Sequence, residues 1–239
     1  MKLYAGTSGY SYPTWKGPFY PARLSQKRML RAYGEQLPVV EINSTFRGLP
    51  ATSTLEAWAG DVPADFRFAL KAPQQITHVQ RLKDAADSTA RLMAAAAVLE
   101  SRLGPLLFQL PPSMKKDVPR LRDFLALLRP PFRAAFEFRH ASWFDDEVFE
   151  LLRAHAAALC IADAEGDLAV PVVQTSPWAY VRLRRPDYDD AALSAWLARL
   201  RAQGWDEVFV FFKHDDVGRA PHMALRLREL AETAQTPPG

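Results

Sequence analysis

The sequence predicts a single (β/α)8 barrel of the TIM type, and three observations lead there. Strand-like segments, eight in all, alternate with helical ones at a repeat of about 30 residues. The length of 239 residues is close to the size typical of such barrels. The loop after the first strand, GTSGYSYPTW, has neither a GxGxxG nor a Walker sequence, the phosphate loops that a doubly wound sheet uses. No glycine-serine linker or low-complexity run divides the chain, so one domain over residues 1–232 is expected, with a loose proline-ended tail over 233–239.

The elements follow in order. Leu3–Ala5 opens the barrel and a helical pattern covers Gln26–Gln36. Val39–Asn43 alternates two faces along VVEIN and leads to a short helix over Thr52–Trp58. Arg67–Lys71 is the third strand. The helical pattern after it covers Ala85–Arg102, and the stretch Asp87–Leu103 has the clearest period, with Ala90, Met93, Ala97 and Glu100 at helical spacing and Gly104-Pro105 as the stop. Strand Leu106–Leu110 precedes helix Val118–Leu128, and strand Ala134–Phe138 precedes helix Glu147–His155. Strand Ala158–Ala162 runs into AEGDLAVPVVQTSP, which supplies no helical pattern, so an irregular connection is expected between strands six and seven. Strand Ala179–Leu183, helix Asp190–Ala202, strand Val208–Phe212 and helix Ala220–Ala231 close the chain.

Composition narrows the functional classes. Hydrophobic content of 49% is enough for one large core. No run of about 20 apolar residues can span a bilayer, and MKLYAGTSGY lacks the apolar core of a signal peptide, so a soluble, cytoplasmic protein with no membrane partner is expected. Cys160 is the sole cysteine, which excludes an internal disulfide and thiolate-rich metal sites; in AALCIA it reads as a buried, inert thiol. The net charge of +3 favours anionic partners only weakly.

Side chains two apart on a strand share a face, and such barrels keep their active sites at the C-terminal ends of the strands. The candidates sit there. Glu41 and Asn43 share one face of PVVEIN, with Thr45 in the loop beyond. If Glu41 points inward it needs a partner, because an isolated buried carboxylate is too costly. Lys71, Arg139, Arg182 and Lys213 are the cations of matching parity. AAFEFRHASW is the densest signal. Glu137 and Arg139 share a face and His140 and Trp143 follow, a set able to supply acid/base chemistry, anion binding and stacking, or else an internal ion pair that only fixes the barrel. Lys71 and His78 bracket APQQIT, Gln109 precedes Leu110-Pro111-Pro112, and Asp163 ends strand six as a base or a helix cap.

The first loop carries Tyr10, Tyr12, Trp15, Phe19 and Tyr20 and reads as a cleft wall or an aromatic plug over the barrel mouth. Ser8 in GTSGY lacks the GxSxG elbow of a nucleophilic serine. No cofactor is expected. A divalent metal on Glu41, Glu137, His140, Asp163 and His214 stays open in principle, without HExxH or EF-hand spacing to support it.

Six segments, GTSGYSYPTWKGPFYP, VVEINSTFRGLP, FRFALKAPQQITH, GPLLFQLPP, AAFEFRHASW and YVRL, together resemble the YecE-like family, domain of unknown function 72, from about Gly6 to Ala224. The resemblance implies a single-domain (β/α)8 barrel and brings no assigned reaction. It places Gly6, Ser8, Gly9, Trp15, Tyr20 and Pro21 in the family's first motif and Glu41, Asn43, Thr45 and Phe46 in its second. Lys71 and His78 match the third, Gln109 and Pro111 the fourth, and Glu137, Arg139, His140 and Trp143 the fifth. The chain departs at Tyr10, Arg47, Arg184-Arg185 and Lys213-His214, mostly by adding charge.

The leading expectation is an enzyme on a small polar or anionic substrate, phosphorylated ones included, working by hydrolase- or isomerase/lyase-type acid/base chemistry. Glu41, Glu137, His140 and Asp163 are the catalytic candidates. Ser8, Tyr10, Trp15, Asn43, Thr45, Lys71, His78, Gln109, Arg139, Trp143, Arg182 and Lys213 are the substrate-binding ones. The alternative is a nucleic-acid or phosphodiester-binding protein, nuclease- or repair-related, using the added arginines and the rings. A third is a non-catalytic scaffold with a ligand pocket. Oligomeric state is not legible.

Overall fold

The computed structural model describes residues 1–164, 166, 168–213 and 217–233. Its strands are β1 (Lys2–Ser8), β2 (Val39–Ile42), β3 (Arg67–Lys71), β4 (Leu103–Gln109), β5 (Ala134–Glu137), β6 (Ala158–Asp163), β7 (Trp178–Leu183) and β8 (Glu207–Phe212). They pair in sequence order, all parallel, and β8 closes on β1 from Lys2–Glu207 to Thr7–Phe212. Closure leaves no exposed edge and excludes the open doubly wound sheet. The helices outside are α1 (Met29–Gly34), α2 (Thr52–Asp61), α3 (Ala86–Ala97), α4 (Val118–Leu125), α5 (Asp146–Ala154), α6 (Asp190–Arg201) and α7 (Arg219–Thr233). Between β6 and β7 no helix forms among the described residues, as expected.

Alternation along each strand builds two cores. Outward residues such as Val40, Phe68, Phe108, Val181 and Val210 pack against Leu92, Leu121 and Leu152 of the helices. Inward residues, Tyr4, Ala69, Leu107, Cys160, Tyr180 and Phe211 among them, fill the barrel. Each fully buried Leu, Val or Phe contributes about 1.5–3 kcal/mol. The floor is closed by aromatic rings. Tyr4 stacks on Phe209 at 4.7 Å, Trp178 meets Phe209 edge-on at 6.2 Å, and Arg133, ion-paired with Glu207, lies over both Trp178 and Phe209. Polar side chains inside the barrel therefore face the other end.

Three local departures from the sequence reading matter. β1 runs on to Ser8, so Ser8 is a strand residue opposite Glu41 rather than part of the loop. The predicted helix to Arg102 stops at Ala97, and the segment 100–102 is a separate tight turn with Glu100 in the left-handed region. Ala90 and Ala97 lie on the exposed side of the helix and Glu100 is exposed in the turn, while Thr89, Leu92 and Ala96 are buried. Gly104-Pro105 does not stop the helix. It lies inside β4, where a Cβ on Gly104 would sit 3.0 Å from the Phe68 carbonyl oxygen at a register shift between β3 and β4. Thr233 ends α7 rather than opening a tail, and 234–239 lie outside the described residues.

Candidate functional site

The inward, C-terminal ends of β1, β2, β3, β4, β5 and β7 hold one hydrogen-bonded network. Glu41 on β2 is fully buried, and both its carboxylate oxygens are engaged. Oε1 accepts from Ser8 Oγ at 2.8 Å, Asn43 Nδ2 at 3.1 Å and Arg182 Nη2 at 2.9 Å. Oε2 accepts from the Tyr180 hydroxyl at 2.6 Å. Arg182, 5% exposed on β7, sends its other guanidinium nitrogen Nη1 to Glu137 Oε2 at 2.5 Å. Glu137 Oε1 accepts from Gln109 Nε2 at 2.9 Å, and Gln109 Oε1 in turn accepts from Lys71 Nζ at 2.9 Å. A buried charge needs this kind of pairing, and one guanidinium here bridges two carboxylates.

The chain reaches this geometry by short-range means. Gly9, at φ +91, turns sharply after β1 so that its N–H donates to the Glu41 carbonyl oxygen at 2.8 Å. Tyr12, in the loop beyond, donates its hydroxyl proton to the Ser8 carbonyl oxygen at 2.8 Å. Burial and the nearby Glu41 charge push its phenol up to about 12. At Gly6 a Cβ would lie 1.9 Å from the Val39 carbonyl oxygen, so no other residue fits where β1 approaches β2.

Cations outnumber carboxylates here. Arg139 Nε and Arg184 Nη1 each stand 3.9 Å from Glu137 Oε1, beyond hydrogen-bond reach, and both side chains remain partly exposed. With Lys71 and Arg182 they make four cations around two carboxylates. The excess registers on the titratable groups. Burial and the neighbouring Arg182 lower the Lys71 amine to about 8. Burial and Arg182 likewise lower Arg184, and burial with Lys71, Arg139 and Arg81 lowers the His78 imidazole. Burial alone would raise Glu137, but Arg182, Gln109 and Arg184 outweigh it and hold the carboxyl below its usual range. Cys160, inside the barrel, is pushed well up by burial and stays a thiol.

A cavity of about 220 Å3 opens beside Glu137, lined by Arg139, Arg184, Pro112, Phe138, Leu168 and Val170. A larger hollow of about 430 Å3 lies on the barrel flank between Leu82–Ala86 and α4. It has no buried polar cluster, so the smaller cavity is the one with chemistry.

Of the residues expected from the sequence, Ser8, Glu41, Asn43, Lys71, Gln109, Glu137, Arg139 and Arg182 converge. Thr45 and His78 flank them. Thr45 Oγ1 lies within reach of the Ile42 and Lys71 carbonyl oxygens and serves the backbone, whereas His78 Nδ1 meets Thr77 Oγ1 at 2.9 Å and its ring packs edge-on to Phe46.

Six expectations are corrected. Asp163 is on the outward face of β6 and binds Arg185, Tyr188 and the Trp196 indole N–H, because Ala158, Cys160 and Ala162 hold the inward positions. His140 caps a local turn, its Nδ1 accepting from the Ser142 N–H at 3.1 Å. Trp143 is fully buried, stacked on Phe138 at 4.6 Å with its indole N–H donating to the Met114 carbonyl oxygen. Trp15 is also fully buried, among Tyr12, Phe19 and Tyr20, so the first loop is a plug at that point and not a cleft wall. Tyr10 packs on Tyr33, and its carbonyl oxygen accepts from the Tyr20 hydroxyl. Lys213 has the inward parity but lies beyond β8, exposed.

Tyr180, Arg184 and Tyr12 also belong to the site; the sequence reading offers Arg184 only among the added arginines of the nucleic-acid alternative and Tyr12 only among the first-loop rings, and does not single out Tyr180. Tyr180 and Arg184 share the inward face with Arg182, a period-two signal legible in YVRLR. The open metal set does not assemble: Asp163 and His140 are engaged elsewhere, His214 lies outside the described residues, and no group of three His, Cys, Asp or Glu side chains suited to a metal occurs among the described residues. Likewise among the described residues, no helix is long and apolar enough to cross a membrane.

Comparison with known proteins gives a match of residues 4–238 to the model of a family described as protein of unknown function DUF72. The chain is similar to the UPF0759 protein YunF of Bacillus subtilis, 25% identical over 228 residues covering 89% of this chain and 79% of YunF. It is 29% identical to the UPF0759 protein YecE of Escherichia coli K12 over 143 residues, 59% of this chain and 50% of YecE. The crystal structure of a DUF72 family protein from Thermotoga maritima superposes with a TM-score of 0.85 at 27% identity, over 97% of this chain and 100% of that one. One from Enterococcus faecalis gives 0.80 at 20% identity over 96% and 95%, a likeness of fold.

Proposed function

The chain belongs to the DUF72 family of proteins of unknown function, and from that premise and the geometry of the barrel mouth we propose that it is an enzyme acting on a small anionic substrate. One observation carries the reading: Lys71, Arg139 and Arg184 ring two carboxylates that already share Arg182, so the mouth has positive charge left over. A carboxylate or phosphate in the cavity beside Glu137 would meet Arg139 and Arg184 and supply the charge that their environment lacks.

The roles differ from a simple carboxylate acid/base pair. Glu41 has no oxygen left for a substrate proton, since four donors occupy it; it holds Arg182 and Tyr180 in place. Glu137, ionised and facing the cavity, orients Gln109 and balances the cations. Lys71 is the group whose proton can leave near neutral pH, which suits it to acid/base work.

Calorimetric titration with inorganic phosphate and pyrophosphate tests the reading. Arg139→Ala and Arg184→Ala should each weaken binding by about tenfold or more, the worth of a charge-assisted hydrogen bond. Undetectable binding at millimolar anion, or affinities equal across the variants, would refute it.

A further inference from the structure

Lys71 stands apart from the other lysines of the chain in its surroundings. It ends β3 inside the barrel mouth, partly exposed, with Nζ 4.2 Å from the centroid of the Phe46 ring and one hydrogen bond, to Gln109 Oε1. No carboxylate lies within 4 Å of it among the described residues. The Gln109 amide cannot turn round without loss, because its Nε2 is committed to Glu137. Its carbonyl oxygen therefore accepts a hydrogen bond from Nζ whether Lys71 is an amine or an ammonium. The cavity with Arg139 and Arg184 is lined by Glu137 and not by Lys71 itself; the Gln109 amide, bonded to both, spans the gap between Glu137 and Nζ. The face of Phe46 favours the ammonium, but an amine with no acid to pin it and like-charged guanidiniums nearby is the arrangement that lets lysine act as a nucleophile.

We infer that Lys71 forms an imine with the carbonyl carbon of a small oxo compound whose carboxylate or phosphate is held by Arg139 and Arg184. This rests on the anion-site reading and adds a substrate class to it. The ammonium first gives a proton to solvent. The nitrogen lone pair then attacks the carbonyl carbon as the C=O π pair moves to oxygen, and a proton passes from nitrogen to that oxygen to give a neutral carbinolamine. Loss of that hydroxyl together with the remaining nitrogen proton, as water, forms the C=N bond, with no oxidant or reductant involved. Roughly a tenth of the amine is free at pH 7 with its pKa at about 8, far more than for an ordinary lysine.

The test is reductive trapping. The protein is incubated with pyruvate, dihydroxyacetone phosphate or acetone, treated with borohydride, digested and mapped by mass spectrometry, while phosphate binding is titrated separately. The expected result is a reduced adduct on Lys71 about tenfold or more above that on exposed Lys27 and Lys115 in the same digest. It should exceed the acetone adduct, vanish in Lys71→Arg and fall to the acetone level in Arg184→Ala. Preference for pyruvate or for dihydroxyacetone phosphate tells whether a carboxylate or a phosphate is held. Labelling of Lys71 no greater than that of Lys27 and Lys115 with every compound overturns the imine, and leaves the anion site standing if phosphate still binds. Equal labelling by acetone, with no phosphate binding, supports the nucleophile and overturns the anion site.

Discussion

Arg182 holds Glu41 and Glu137 on one guanidinium, and replacing it leaves Glu41 buried with neutral donors alone and Glu137 with no cation nearer than 3.9 Å among the described residues. Arg182→Met should cost about 3–5 kcal/mol of stability in chemical denaturation. Tyr180→Phe removes a single bond to a carboxylate and should cost about 1.5–3 kcal/mol, read the same way. The pH dependence has a definite sign. The Glu137 carboxyl is depressed in the folded state, so its contribution is present above the ordinary glutamate value of about 4.3 and is lost as pH falls through the lower folded value. Lys71 has the same sign in a higher pH window. Its folded amine, at about 8, binds a proton less readily than the unfolded one, so between there and the ordinary lysine value of 10.5 stability rises with pH. Denaturation midpoints across pH would contradict both assignments if they were flat below 4 and falling from 8 to 10. At this scale the sequence was legible wherever a polar residue interrupted an apolar strand, as at Glu41, Gln109 and Glu137. Tyr180 was not, since a tyrosine among apolar neighbours looks like core until its hydroxyl finds Glu41.

The elements divide on one physical point. In a parallel barrel both faces of a strand are buried, so alternation sorts residues into two sets without saying which set is inside. β5 and β7 declare themselves because charged residues stand on one face only. β6 misleads, for its inward residues are the small Ala158, Cys160 and Ala162 and its larger Leu159 and Ile161 pack outward, taking Asp163 with them. Loops carry no period at all, which is why Trp15 and Trp143 could be placed at the mouth from sequence and are in fact packed under it. Trp143 lies flat on Phe138 and locks the segment after β5 to the Met114 carbonyl oxygen. Trp143→Ala should cost about 3–5 kcal/mol, as for other buried large-to-small changes. If thermal and chemical denaturation showed a loss under 1 kcal/mol, the indole would not be the packing element its burial implies.

At the scale of the whole molecule, the closed sheet, the aromatic floor and the plug of the first loop confine the polar groups to one end, and the family that the six sequence motifs resemble is the one whose model the chain matches. We propose that the positive surplus gathered at this end holds an anion. Diffraction from crystals soaked in tungstate, a tetrahedral oxyanion with a strong anomalous signal, tests it most directly. An anomalous peak is expected within hydrogen-bond reach of the Arg139 and Arg184 guanidiniums, lost in the Arg184→Ala protein. Peaks only on the outer helices, with the mouth empty at saturating tungstate, would contradict it.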